Sequence, residues 1–197
     1  ILEKDGALSR EAEGAVRAAG GEALGLAVDV ADPEAVQSAF SRIAEVFGAL
    51  HVIYNNASIY LGGRDGPVAD LAIEVWDRVL AVNLNGLFYA CKFGIPLMLR
   101  SGGGSVINIG SYMGLLGPNP VNYVGTNMKT SSPIYFYEKG GMANFTRWAA
   151  SHYGEYGIRV NTLAPGYTMT AESIVRTQGR PGWADMQRKR QALRERN

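Results

Sequence analysis

A tyrosine and a lysine stand four residues apart at Tyr135 and Lys139, with Ser111 and Asn83 upstream. Residues at this spacing lie one turn apart on the same face of a helix. An ammonium group beside a phenol favours the phenolate, so such a tyrosine can exchange a proton with the oxygen of an alcohol or a carbonyl. The pair is the only Tyr-x-x-x-Lys in the chain. Because such a pair also arises by chance, its interpretation depends on the surrounding sequence.

Short polar motifs follow apolar runs in a fixed order along the chain. They are Asp29-Val30, N-N-A-S at Asn55–Ser58, V-N-L-N-G at Val82–Gly86, I-N-I-G-S at Ile107–Ser111, Tyr135-x-x-x-Lys139-Gly-Gly, G-I-R-V-N at Gly157–Asn161 and P-G-Y-T-M-T at Pro165–Thr170. In this order, and over nearly the whole chain, the motifs closely resemble the short-chain dehydrogenase/reductase family. The family's first strand with its glycine-rich turn, and its last strand and helix, do not appear in the sequence. We therefore expect the sequence to be part of a longer polypeptide or a fragment.

Apolar strands and helices alternate along the chain. Strands are predicted at Ala23–Val30, Leu50–Tyr54, Ser105–Ile109 and Arg159–Leu163, and helices at Ala7–Ala19, from the Asp32 N-cap to Phe47, at Ile73–Asn83, Gly86–Arg100, Tyr135–Tyr153 and Ala184–Glu195. Strands without polar alternation indicate a parallel sheet covered by helices on both faces. In such a sheet ligands bind at the carboxyl ends of the strands, which is where the polar motifs fall.

We thus predict an α/β fold with a Rossmann-like, doubly wound parallel sheet in three layers. Residues 1–197 would form one domain for dinucleotide binding and catalysis, with residues 170–197 as a substrate loop and lid helix. Residues 115–132 are predicted to form an inserted loop near the mouth of the substrate site.

The composition of the chain bears on which partners, metals and cellular location we expect. A net charge of +1 gives no argument for nucleic acid or an anionic membrane as a partner. The single cysteine, Cys91, lies in an apolar context and is predicted to be a buried thiol. His51 and His152 are far apart, so no metal site is expected. No apolar run is long enough to span a membrane, and the default expectation is a cytoplasmic protein.

The resemblance implies a catalytic role for each of four residues, Asn83, Ser111, Tyr135 and Lys139. Tyr135 would be the general acid and base, and Lys139 would hold the nicotinamide ribose. Ser111 would donate a hydrogen bond to the substrate oxygen, although an ordinary turn serine is the alternative. Asn83 would kink a helix and hold a water that relays protons, and the alternative is an asparagine that caps local backbone.

The resemblance also implies a set of cofactor contacts at the strand ends. Asp29 and Val30 would contact adenine, and Asn55, Ala57 and Ser58 would run beside the cofactor, with Ser58 standing where the family usually has glycine. Pro165, Gly166, Thr168 and Thr170 would approach the nicotinamide carboxamide. Glu3 would accept hydrogen bonds from the adenosine ribose and repel a 2′-phosphate, which favours NAD over NADP. A solvated position near the chain start is the alternative for Glu3.

The sequence therefore predicts an NAD-dependent oxidoreductase that acts on a secondary alcohol or ketone of a small molecule. By resemblance, homo-oligomers would form through two helices, 87–99 and 136–153, which carry Phe88, Phe93, Phe145 and Trp148. A core role for some of these aromatic residues is the alternative. An alternative is a truncated, non-catalytic family member that serves only as a structural or assembly partner. An epimerase or dehydratase fits less well, because such relatives carry a larger C-terminal substrate domain.

Overall fold

The computed structural model describes residues 1–61, 66–119 and 132–166, in which five strands alternate with five α-helices. The strands are β1 (Leu2–Glu3), β2 (Leu26–Ala27), β3 (Val52–Asn55), β4 (Gly104–Ile109) and β5 (Ile158–Leu163). The helices are α1 (Gly6–Ala18), α2 (Pro33–Phe47), α3 (Ile73–Leu80), α4 (Gly86–Arg100) and α5 (Pro133–Tyr153). The α/β class with parallel strands is confirmed.

The strands form two separate parallel sheets. One sheet pairs β1 with β2, and the other has the order β3-β4-β5. Within the described residues, β1 pairs only with β2 and β3 only with β4, so one edge of each strand stays unpaired. A cleft of about 980 Å³ separates the two sheets and is lined by residues of both. The parallel sheet is thus seen in two parts within the described residues, in keeping with a sequence in which the family's first strand does not appear.

Local sequence signals set most helix ends. The Asp32 carboxylate caps α2 by accepting the N–H groups of Glu34 and Ala35, at 2.9 and 3.1 Å, and Gly48 ends the helix at φ +72°. This confirms the predicted helix that ends at Phe47. Helix α5 begins two residues earlier than predicted, because Ser132 Oγ accepts the Ile134 N–H and Pro133 suits a first helical turn.

Two predicted elements differ from the structure. The apolar run 23–30 forms only the two-residue strand β2, because its partner β1 is also only two residues long. The predicted helix 73–83 ends at Leu80, and one π-helical turn, Ala81–Asn85, joins α3 to α4. Residues 120–131 and 167–197, which include most of the predicted inserted loop and the predicted lid helix, lie outside the described residues.

The main core lies where α4 and α5 cover the sheet of β3, β4 and β5. Met98, Val106 and Ile158 are fully buried there, and Cys91 is among them as predicted. Helix α2 packs on α4 and buries Phe40 in a second cluster. None of the helices in the described part of the chain is both long and apolar enough to cross a bilayer.

Candidate active site

Tyr135 and Lys139 occupy successive turns of α5 on the side that faces the end of β4. The Lys139 Nζ lies 5.7 Å from the centre of the Tyr135 ring. It donates a 2.8 Å hydrogen bond to the carbonyl of Ile109, the last residue of β4. Lys139 is buried and Tyr135 is half-buried. The lysine is therefore fixed between the tyrosine and the carboxyl end of a central strand.

Ser111 follows β4 at the same end of the sheet. Its hydroxyl oxygen accepts the Met113 N–H at 3.2 Å and so caps the short 3₁₀ turn Tyr112–Gly114. A Cβ on Gly114 would collide with the Lys139 carbonyl, so glycine allows this turn to lie directly against α5. Ser111 therefore has a structural role in a turn, which is the alternative given for it. Its contact with substrate stays a prediction.

Asn83 lies inside the π-helical turn between α3 and α4, a distortion that is frequent at functional sites. Its Oδ1 accepts the Ile59 N–H at 2.8 Å, and its Nδ2 donates to the Ile59 carbonyl at 3.0 Å. The second Nδ2 hydrogen is given to Glu138 Oε2 at 2.6 Å. The side-chain amide thus fastens the chain beyond β3 to α5, and the contact of Asn83 with a relay water stays a prediction.

Glu138 was not among the residues predicted from the sequence, and its side chain is only 1% exposed. It lies next to Lys139, with Oε1 3.9 Å from the lysine Nζ. The buried positions on this face of α5 recur every four residues, at Ile134, Glu138 and Met142. A charged residue on an apolar helical stripe was therefore the sequence signal that could have pointed to Glu138. A small cavity of about 20 Å³ borders Glu138, Asn83 and Tyr135.

Burial shifts both charges of the Glu138–Lys139 pair toward their neutral forms. Desolvation raises the pKa of the Glu138 carboxyl to about 6, against the opposing effects of the Asn83 hydrogen bond and the Lys139 charge. Desolvation also lowers the pKa of the Lys139 ammonium, and the Glu138 charge opposes that shift. The site therefore holds an acid that titrates close to neutral pH, a property common among catalytic groups.

Several predicted cofactor residues line the cleft between the sheets. Glu3, Val30, Asn55 and Ala57 line it together with Asn83 and Lys139. Ser58 is exposed just beyond Ala57. Gly166 follows Pro165, whose carbonyl accepts the Tyr112 N–H at 3.3 Å beside Ser111. Thr168 and Thr170 lie outside the described residues.

Asp29, the other predicted adenine contact, is engaged by two cations. Its Oδ2 accepts hydrogen bonds from Lys4 at 2.8 Å and from Arg78 at 3.1 Å, and its Oδ1 accepts the Ala31 N–H. The Lys4 and Ala31 hydrogen bonds lower the pKa of Asp29 to about 2, and Arg78 adds to the effect. This carboxylate links the ends of β1, β2 and α3 on the rim of the cleft, and its contact with adenine stays a prediction.

A chain of polar side chains, also missed in the sequence, ties the second sheet to α5. Asn55 Nδ2 donates to Asn108 Oδ1 at 2.8 Å, and Asn108 Nδ2 donates to Thr146 Oγ1 at 2.9 Å. Thr162 also donates to Thr146 Oγ1, at 2.7 Å, and Thr146 donates to the Met142 carbonyl. Val106 and Asn108 are two residues apart in β4 and are both buried, so they lie on the same face of the sheet. A polar asparagine on that inward face was the sequence signal that could have pointed to this chain of hydrogen bonds.

Comparisons with known proteins identify the family of the chain. The family model for short chain dehydrogenases matches residues 2–180. The chain is 36% identical over 153 residues to a cyclohexanol dehydrogenase of Acinetobacter sp. (strain SE19), which covers 78% of this chain and 56% of that protein. It is 35% identical over 156 residues to a cis-4-hydroxycyclohexanecarboxylate dehydrogenase of Sinomonas cyclohexanicum, covering 79% of this chain and 57% of that protein.

Among solved structures, an NAD⁺-bound xylitol dehydrogenase superposes with a TM-score of 0.77 at 28% identity, covering 89% of this chain and 63% of the other. The chain thus belongs to the short-chain dehydrogenase family and has its Rossmann fold. It spans a little over half the length of the two curated relatives.

Proposed function

We propose that the protein is an NAD-dependent oxidoreductase that interconverts a secondary alcohol and a ketone. The observation that carries this proposal is the position of Lys139, which is held by the end of β4, lies beside the Tyr135 ring and lines the cleft. A buried ammonium next to a phenol at a strand's carboxyl end suits proton exchange with a bound oxygen. Family membership supports the same reaction class.

In this proposal the chain's residues handle the proton and hold the reactants. Tyr135 takes the hydroxyl proton of the alcohol in oxidation and returns a proton to the carbonyl oxygen in reduction. The Lys139 ammonium keeps two N–H groups for ribose hydroxyls besides the one given to Ile109. Ser111 orients the substrate oxygen by donating a hydrogen bond to it. A bound nicotinamide would supply the hydride chemistry.

The described residues fit a dinucleotide at both ends of the cleft. Its volume is in the range of ligand sites, and it joins Glu3 at the end of β1 to Lys139 on α5. The Glu3 carboxylate can accept ribose hydroxyls and would repel a 2′-phosphate, so we propose NAD rather than NADP.

This preference can be tested at Glu3. We expect the wild type to have a higher kcat/KM with NAD than with NADP, and Glu3→Gln to reduce that ratio about tenfold by removing the repulsion. The matched control is Glu11→Gln, an exposed position on α1 that does not line the cleft. An unchanged ratio in Glu3→Gln would contradict the assignment.

The names of the two curated relatives suggest the substrate class to try first. Both names denote alcohols on a six-membered carbon ring. We therefore propose a cyclic secondary alcohol and would assay the full-length protein with cyclohexanol and NAD, following the absorbance of the reduced nicotinamide. Turnover that requires both compounds is the expected result. No turnover of any cyclic or acyclic secondary alcohol would overturn the proposed function.

A second candidate is a family member that serves as a structural or assembly partner, and the exposed aromatic rings of Phe88 and Trp148 are the observation that favours it. Titration with NADH, followed by its fluorescence, separates the two candidates. Saturable binding supports the oxidoreductase, and its absence in the full-length protein supports the assembly role.

A further inference from the structure

Glu138 is a buried acid for which the proposed reaction has no use so far. It sits one residue before Lys139 and one turn after Tyr135, and its side chain is almost completely shielded from solvent. A buried carboxyl group is costly unless it has partners, and Glu138 has two: the Asn83 amide at 2.6 Å and the Lys139 ammonium at 3.9 Å. Both partners also line the cleft proposed for the cofactor.

The small cavity connects Glu138 with the tyrosine. Its volume of about 20 Å³ exceeds the roughly 10–15 Å³ that one water requires. Glu138, Tyr135 and Ser132 are among the residues that line it, in an otherwise largely apolar wall, and they are the candidate partners of such a water. The Asn83 amide also borders the cavity, but its two hydrogens are given to Ile59 and Glu138. The carboxylate is thus the group in this cavity best able to accept a proton.

Resting on the proposed function, we propose that Glu138 is a positioning residue that accepts, through one water in this cavity, the proton that Tyr135 removes from the substrate. The hydroxyl proton passes to the Tyr135 phenolate, and a bound nicotinamide would accept the hydride that leaves the carbinol carbon. Tyr135 gives a proton to the water, and the water gives one to the Glu138 carboxylate. Tyr135 is then a phenolate again, and Glu138 later releases the proton to solvent.

Among the described residues, few groups can influence the titration of Glu138. Those that are charged or titratable are Lys139 and Tyr135 on its own helix and Tyr60 across the cavity. From the π-helical turn it faces Asn83, which is uncharged. The other described wall residues are the uncharged Ser132 and apolar side chains, among them Val75 and Val79 of α3. The pKa of Glu138, raised by burial to about 6, would therefore determine the pH at which the acceptor becomes active.

The test compares the pH profiles of wild type and Glu138→Gln in alcohol oxidation. We expect wild-type kcat/KM to fall on the acid side with a midpoint near pH 6, where the acceptor becomes protonated. Glu138→Gln should lose this acid limb and about tenfold of the plateau, and Glu138→Asp, which keeps a carboxyl group, should retain a limb. The control Glu45→Gln, at an exposed position on α2, should keep the wild-type profile.

A second readout does not depend on activity. The infrared band of a protonated carboxyl group should titrate in the wild type at the midpoint of the acid limb and be absent from Glu138→Gln. If the Gln variant does not fold, wild-type midpoints that differ by more than about one pH unit between infrared and kinetics would overturn the inference.

The outcomes separate this inference from the proposed function. If the wild type oxidises alcohols and the Glu138→Gln variant keeps the acid limb of the wild-type pH profile, only the proposed role of Glu138 is overturned. A wild type that oxidises no alcohol overturns both proposals.

Discussion

At the scale of single residues, burial has its clearest chemical effect on Glu138. Its carboxyl group titrates near neutral pH because the surrounding protein solvates its charge less well than water does. Cys91 follows the same rule, since burial raises the pKa of its thiol to about 12, although Asn55 opposes the shift. Asp29 shows the opposite case, in which hydrogen bonds and cations on the cleft rim stabilise the charged form.

A stability measurement tests the burial of Glu138 directly. Its pKa rises from 4.5 to about 6 on folding, so the folded state binds the proton more tightly than the unfolded state. The resulting stability is fully present below about pH 4.5 and is lost as the pH rises through about 6, a change of about 2 kcal/mol. We expect the free energy of unfolding of wild type relative to Glu138→Gln to fall by that amount over this interval, as measured by urea denaturation.

Asp29→Asn is the control of opposite sign for that experiment. Stability from the lowered pKa of Asp29 is present above pH 3.8 and is lost as the pH falls toward about 2. A difference between wild type and Glu138→Gln that does not change with pH would contradict the assigned burial of Glu138.

At the scale of elements, the polar chain of Asn55, Asn108, Thr146 and Thr162 fixes β3, β4 and β5 against α5. The Thr146 hydroxyl accepts two hydrogen bonds and donates one, so it is the centre of the chain. We expect Thr146→Val to reduce the free energy of unfolding by about 1–3 kcal/mol, because Asn108 Nδ2 would lose its partner in a fully buried position. Chemical denaturation measures this loss.

Thr146→Ser is the matched control for the polar chain. It keeps the hydroxyl, and should be closer to wild type than Thr146→Val. Equal stabilities of the Val variant and the wild type would show that the chain adds little to the positioning of α5.

Features that depend on residues close together in the chain could be predicted from the sequence, whereas contacts between residues far apart in the chain could not. The shared face of Tyr135 and Lys139 follows from helical spacing, and the start of α2 follows from the Asp32 N-cap and Pro33. In contrast, Glu138 meets Asn83 across 55 residues of chain, so no local pattern specifies that contact. The two-residue length of β2 likewise depends on the length of β1.

On the scale of the whole molecule, the cleft between the two sheets is the dominant feature. Five of the ten predicted cofactor residues that the structure describes line it, from Glu3 to Lys139. The same cleft leaves one edge of β1 and one edge of β3 unpaired within the described residues.

Assembly is a second property of the whole molecule. Phe88 on α4 and Trp148 on α5 are about half exposed, at 48% and 56%, which leaves aromatic surface available for a second copy. In line with the sequence prediction, we propose a homo-oligomer that uses these helices. Sedimentation should show an oligomer for wild type and a shift toward monomer for Trp148→Glu, with Tyr156→Glu, an exposed position outside both helices, as control. A monomeric wild type would contradict this proposal.

The most direct test of the central claim is the replacement of one phenolic oxygen. Tyr135→Phe should lower kcat/KM for NAD-dependent oxidation of cyclohexanol by about 10²–10⁴-fold, because the acid and base of the reaction is removed. The control is Tyr137→Phe, two residues along α5, whose exposed ring packs on Trp76 and keeps that contact without the hydroxyl. It should stay within about threefold of wild type, and both variants should keep the wild-type circular dichroism spectrum. A Tyr135→Phe variant that oxidises cyclohexanol as fast as the wild type would contradict the account.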